Sequence, residues 1–311
     1  MDQFQISTVH STRFRLLSCL PLLAWLLVLP IGALAAPLPI IISSANSHYQ
    51  QSVVQSILKY LEGSGIEART SNINQQATAD NNNELVISIG TEAKEFLDKA
   101  SLSSPQLRVV TQIDVNDRSA RNNELYLSMT QPACQQFALI RALNNGWKNV
   151  SVLLSDPAPV VTQQLQTCAT QYGVTLKIII ISQYINVIDA LNTSLINSDV
   201  LLALPDASVY NAKTIKSILL TTYRHRIPVI GFSESFVHAG ALAAIHSSTD
   251  QLGKQIAELI VNHYSHSKIN QNYLYPKYFD IAINKDVAKS LAINTPDRKV
   301  ITEKLRQENN E

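Results

Sequence analysis

The residues of this 311-residue chain that could do chemistry sit directly after short apolar runs, and they suit binding better than bond-breaking. Ser43, Ser44 and Asn46 follow Leu38–Ile42, and Gly90 and Thr91 follow Leu85–Ile89. Further on, Ser155 and Asp156 follow Val150–Leu154, and Pro205, Asp206 and Ser208 follow Val200–Leu204. Phe232, Ser233 and Glu234 follow Val229–Gly231. Hydroxyls, a helix start and isolated carboxylates can hold a small polar molecule without turning it over.

Each of these residues also has a structural alternative. Gly90-Thr91 can offer backbone N–H groups and a hydroxyl to a carboxylate, or Thr91 can cap the following helix. Ser44 can do the same after the first run, or cap the helix near Tyr49. Asp206, pinned by Pro205, is expected to meet a ligand ammonium, the alternative being a cap for the helix near Ala212. Asp156, before Pro157, has the same choice with capping favoured. Glu234 can read a polar ligand group or sit as a charge on the rim. Phe232 and Tyr210 can stack on an aromatic ligand or belong to the core or rim. His225 lies between Arg224 and Arg226 at a helix end, where a positive charge suits the helix dipole. His238 and His246 read as structural.

Catalytic signatures were sought and not found. The chain has no Gly-x-Ser-x-Gly elbow, no Walker loop and no Gly-x-Gly-x-x-Gly after its first strand, and only nine glycines in all. No cofactor is expected. No metal is expected either, since there is no Cys-x-x-Cys and no paired histidine with a third ligand nearby. The 25 basic and 24 acidic residues nearly cancel, leaving no electrostatic footprint for nucleic acid.

The elements that position these residues alternate between strand and helix. Continuous apolar runs are expected at 38–43, 85–89, 107–113, 150–154, 176–181 and 200–204, as for strands buried on both faces. Ile66–Thr70, Val229-Ile230, Leu242–Ile245 and Tyr278–Ile283 read as shorter strands. Helical spacing is expected at 49–61, 92–99, 132–143, 160–172, 185–195, 212–223 and 250–262. Residues 72–83, rich in Asn and Gln, and 114–124 read as loops. Leu125-Tyr126-Leu127 reads as an extended piece able to cross between lobes, and the stretch after Gly231 as a polar loop. Strands joined by helices of this length imply parallel sheets with right-handed crossovers. The pattern restarts near 128–131, which implies an α/β fold of two Rossmann-like lobes. The first lobe is expected to comprise 36–128 and 247–283, the second 129–246 and 284–296. Residues 297–311 read as a charged, frayed surface helix.

Residues 1–35 read as a cleavable export signal, with Arg13 and Arg15, an apolar run from Leu16 to Leu29 and Ala33-Leu34-Ala35 before the cut. Leu16-Leu17-Ser18-Cys19 matches a lipoprotein box by letters but precedes the apolar run, so lipidation is not expected. The exported part is expected to be a soluble monomer. In that oxidising setting Cys134 and Cys168 can form a bridge, or remain two buried thiols.

Several stretches resemble the ABC-transporter substrate-binding protein family, in the branch that includes tryptophan and tyrosine receptors. They are Ile87-Ser-Ile-Gly-Thr-Glu-Ala93, Ala203-Leu-Pro-Asp206, Ile227-Pro-Val-Ile-Gly231, Ala239-Gly-Ala-Leu-Ala243 and Leu252-Gly253. The resemblance covers roughly residues 38–295, and Ser71–Glu84 departs from it. It implies the type I periplasmic-binding-protein fold and a periplasmic receptor. Such a receptor closes on a small ligand, here an amino acid or similar zwitterion, and delivers it to an ABC permease. The alternative is a ligand-sensing subunit for another membrane protein.

Overall fold

The computed structural model describes residues 38–44, 47–73, 85–100, 102–110, 123–265 and 272–308. The expected export signal, Asn46 and most of both predicted loops lie outside the described residues. No helix of the described residues is long and apolar enough to cross a membrane.

The first half runs β1 (Ile40–Ser43), α1 (His48–Glu62), β2 (Arg69–Asn72), β3 (Val86–Ile89), α2 (Thr91–Ala100), β4 (Gln106–Val110) and β5 (Glu124–Ser128). The second runs α3 (Ala133–Leu143), β6 (Asn149–Leu154), α4 (Pro159–Gln171), β7 (Thr175–Ile180), α5 (Val187–Leu195), β8 (Val200–Leu202), α6 (Ile215–Arg224), β9 (Val229–Gly231), α7 (Glu234–Ala239) and β10 (Ala243–His246). The chain then returns through α8 (Thr249–Tyr264), β11 (Tyr273–Leu274), β12 (Asp280–Ile283), α9 (Lys285–Ser290) and α10 (Arg298–Glu308).

Two six-stranded sheets result, ordered β11-β5-β4-β3-β1-β2 and β12-β10-β9-β8-β6-β7. The two orders correspond strand for strand. Every pairing is parallel except β10 with β12. The strands are nearly all apolar because helices cover both faces of each sheet. In the first lobe Ile41, Ile87 and Leu107 pack beneath α1 and α8, while Ile40, Ile42 and Val86 pack beneath α2. In the second, Val150, Val152 and Leu202 meet α3 and α4, and Leu153, Leu201 and Val229 face α5 and α6.

Both lobes belong to one compact unit. Three crossings join them: 129–132, 247–248 and 275–279. One hydrogen-bonded cluster ties the three together. Gln131 donates from Nε2 to Ser247 Oγ at 2.8 Å and to the Tyr278 carbonyl at 3.2 Å, and Ser247 Oγ donates to that same carbonyl at 2.7 Å. Ser248 caps α8 in a reciprocal box with Gln251, so the second crossing feeds straight into a fixed helix.

Several expectations are corrected. Residues 125–127 are an inner strand of the first sheet, and the crossing begins after them. The second strand falls at 69–72 instead of 66–70. The expected loop after Gly231 holds a short helix, α7, because Ser233 caps it by accepting from Phe236 N at 3.2 Å. Residues 280–283 were placed with the first lobe but pair with β10 in the second sheet. The charged tail is no frayed helix. Ile301 and Leu305 on α10 are buried in the second lobe's core, on a stripe that charged neighbours mask in the sequence. Cys134 and Cys168 are joined in a disulfide that pins the first turn of α3 to α4.

Candidate functional site

In open parallel sheets a crevice forms outside the carboxyl ends of the strands, where the strand order reverses. Both sheets reverse beside their first strand, between β1 and β3 and between β6 and β8. Each reversal opens onto a cavity between the lobes.

The larger cavity holds about 750 Å³, within the usual range for a small-molecule site. From the first lobe it is lined by Ser44, Ser47, Tyr49, Gln50, Gly90 and Thr91. From the second come Pro205, Phe232, Ser233, Glu234 and His246, and from the first crossing Thr130. Thr91 and Glu234 are exposed, so the cleft is open to solvent at its mouth.

The first-lobe wall is built around Gln50. Ser47, not Ser44, caps α1, accepting from Gln50 N at 3.3 Å. Gln50 Oε1 accepts from Ser44 N at 2.9 Å, which fixes the loop after β1. Its amide also lies against Gly90, where a Cβ would come within 2.2 Å of Gln50 Nε2, and Gly90 has a φ of +90°. Gly90 thus meets two demands that no other residue meets together, a left-handed backbone and contact with a neighbouring amide. Thr91 is the first residue of α2, so Gly90 and not Thr91 precedes the helix.

In the second lobe Tyr210 is core, 8% exposed, with its ring edge-on to Phe232 and Phe236. Its hydroxyl is buried without a hydrogen-bond partner, and burial together with Asp206 pushes its pKa up. Phe232 is half-buried, lines the cleft, and stands 5.0 Å from Phe236, centroid to centroid. Ser233 spends its hydroxyl oxygen on the α7 cap, and Glu234 is that helix's first residue, 3.9 Å from His238. His246 is 9% exposed. Burial holds its imidazole below the ordinary histidine pKa, against the smaller opposing pull of Glu234 and Asp280.

The second cavity, about 510 Å³, takes Ser155, Asp156 and Asp206 and shares Thr130 and Pro205 with the first. Asp206 is engaged by the protein itself. Its Oδ2 accepts from Ser155 N at 2.7 Å and Ser155 Oγ at 2.8 Å. Its Oδ1 accepts from Ser208 N at 3.0 Å and Val209 N at 3.3 Å. A carboxylate offers roughly four acceptor positions, and four protein donors occupy them. In this structure Asp206 brackets the loops after β6 and β8. Ser208 serves through its backbone and lines neither cavity. Asp206→Ala is expected to lower stability by about 2–3 kcal/mol in urea unfolding, because several charge-assisted hydrogen bonds go at once. Asp206→Asn, which keeps one of the two acceptor oxygens, is expected to lose less. An unchanged alanine midpoint would remove the bracket.

Residues read only as strand-end loops omitted Ser47, Tyr49, Gln50 and Glu92, which lie in first helical turns, and the crossing residues Met129, Thr130 and 247–249. The Ser47–Gln50 spacing was the one available signal for the first group.

The profile of a family described as ABC transporter substrate binding protein matches residues 55–304. No curated protein matches the chain significantly. Among solved structures, the ligand-free, open form of a substrate-binding protein with adhesive properties from Clostridium difficile is similar at 19% identity, with a TM-score of 0.67, covering 85% of this chain and 97% of that one. An ABC domain in complex with L-Trp from Streptococcus pneumoniae is similar at 17% identity and a TM-score of 0.62, covering 86% and 98%. A conserved domain protein from Vibrio cholerae is similar at 20% identity and a TM-score of 0.61, with the same coverage.

Proposed function

The chain belongs to the ABC transporter substrate binding protein family and has the type I periplasmic-binding-protein fold, and on that footing we propose that it is a periplasmic receptor that closes on a small molecule and presents it to a membrane permease. One observation carries the reading: a cleft of about 750 Å³ whose walls come from both lobes, across three crossings gathered at one cluster. Such a joint lets the lobes approach as rigid bodies, and a ligand touching both walls shifts the balance toward the closed form. The closed surface is then what the permease reads.

The ligand is a small molecule bearing an amino group, as amino acids and their relatives do. Phe232 and Tyr49 supply apolar faces on opposite walls, and Glu234 supplies charge. No general base or nucleophile is needed for this task, and capture and release is the whole of it. The residues we assign to ligand contact are Ser44, Gly90, Thr91, Phe232, Ser233 and Glu234, with Asp156 on the adjoining cavity and Asp206 as the bracket. Native mass spectrometry of the protein purified from its own periplasm is expected to show a bound small molecule, and small-angle scattering is expected to show contraction when that molecule is added back. No bound species together with no contraction across an amino-acid and amine panel would overturn the reading.

A further inference from the structure

Among the described residues the charge of the cleft is one-sided. The formally charged side chains lining the two cavities are Glu92, Glu234, Asp156 and Asp206, and among the described lining residues there is no Lys or Arg. The backbone and hydroxyl donors of Ser155, Ser208 and Val209 that meet Asp206 are neutral and do not cancel its charge. His246, the one imidazole on the larger cavity, is nearly buried between β10 neighbours, and burial favours its neutral form.

The two helix starts on the larger cavity do not offset this. Glu92 and Glu234 sit in the first turns of α2 and α7. A carboxylate there already meets the positive end of its helix. An incoming anion at Gly90-Thr91 would meet Glu92 first. The expected carboxylate subsite therefore stands beside the protein's own negative charge.

The uncharged part of the lining suits a cation too. Tyr49, 43% exposed on the first lobe, and Phe232 on the second present aromatic surface to the same space, and aromatic faces attract alkylammonium groups. Hydroxyls of Ser44, Ser47, Ser233 and Ser235 surround them.

We propose that the ligand is an organic cation, a protonated or quaternary amine on an apolar body with no carboxylate of its own. The inference rests on the receptor reading and narrows it. Acidic walls around a low-dielectric cleft raise the local concentration of cations and disfavour anions.

Two matched series separate charge from shape. The first is tyramine, tyrosine and 4-hydroxyphenylacetate, and the second is choline and glycine betaine. At low ionic strength a cation is expected to bind at least tenfold more tightly than its zwitterionic partner in one series, with the anion weakest. Glu92→Gln/Glu234→Gln is expected to reduce that ratio toward unity while the protein remains folded by circular dichroism. A zwitterion or anion that binds as tightly as the matching cation would overturn the inference and leave the receptor reading standing. If neither series binds, the co-purified molecule decides: a cation supports the inference, and an anion or zwitterion overturns it alone. No binding in either series and no co-purified molecule would overturn the receptor reading and the inference with it.

Discussion

Gly253→Val is expected to lower stability by about 3 kcal/mol, among the larger single-residue effects expected in the first lobe. Gly253 lies in the second turn of α8, where α8 packs against α1. A Cβ there would stand 2.3 Å from Ser56 Cβ and 2.9 Å from both Ile57 N and the Ser56 carbonyl carbon. Two of those three atoms are backbone, so no rotamer change relieves the clash and the helices must separate. Separation strips contacts from Ile57, Leu252 and Ile256, all fully buried. It also moves the start of α1, which carries Ser47, Tyr49 and Gln50 on the cleft wall. Replacing a helix-interior glycine by valine ordinarily helps by only about 0.5 kcal/mol, because valine is itself a weak helix former, so the expected loss is net of a small propensity gain. Thermal unfolding is the check. Ser56→Gly in the valine background is expected to restore part of the loss and no more, since it removes one of the three contacts. A melting temperature within two degrees of the parent would show that α1 and α8 have slack.

Opening the Cys134–Cys168 bridge is expected to cost as much in the second lobe. The bond closes a loop of 34 residues, for which restriction of the unfolded chain corresponds to about 3–4 kcal/mol. In a domain of this size that is a fall of roughly 10 °C. The bridge fastens α3, which begins at the first crossing, to α4, whose start lines the second cavity. The double variant Cys134→Ser/Cys168→Ser is thus expected to weaken ligand binding as well as stability. Equal melting temperatures with and without reductant, at full reduction by thiol titration, would sink this expectation.

Much of the fold was legible in the sequence because strands buried on both faces write themselves as unbroken apolar runs. Val86–Ile89, Asn149–Leu154 and Val200–Leu202 fall where such runs stand. The failures have physical causes. Strand β12 looks the same whichever sheet it joins, because pairing partners are set by tertiary contacts and not by its four residues. Helix α10 hides Ile301 and Leu305 between lysines, arginines and glutamates, and two apolar positions give too weak a periodicity. Helix α7 has six residues, too few for a helical pattern to show. Arg108 reads as an interruption in a strand, yet it is 2% exposed and held by Asp98, Glu124 and Gln106.

The site was legible as a set of positions and less so as a set of roles. Strand ends predicted Gly90, Phe232 and Glu234 on one cleft. Asp206 was found, but nothing local could say that the donors of Ser155, some fifty residues away, would reach its carboxylate first. Gln50 escaped because its importance lies in what its amide touches, Ser44 and Gly90, and not in a motif.

The interleaving of the two lobes bears on how the molecule comes into being. Leu252, Ile256 and Ile260 of α8 complete the first lobe's core, while Ile281, Ile301 and Leu305 complete the second. A polypeptide emerging from its N-terminus therefore has no finished lobe until α8 and the segments after it have been made. Domains usually consolidate one at a time as synthesis proceeds. Here both wait on the same last stretch. Until that stretch is made neither core is complete, and a chain without a complete core is the kind that can still be threaded through a narrow translocation pore.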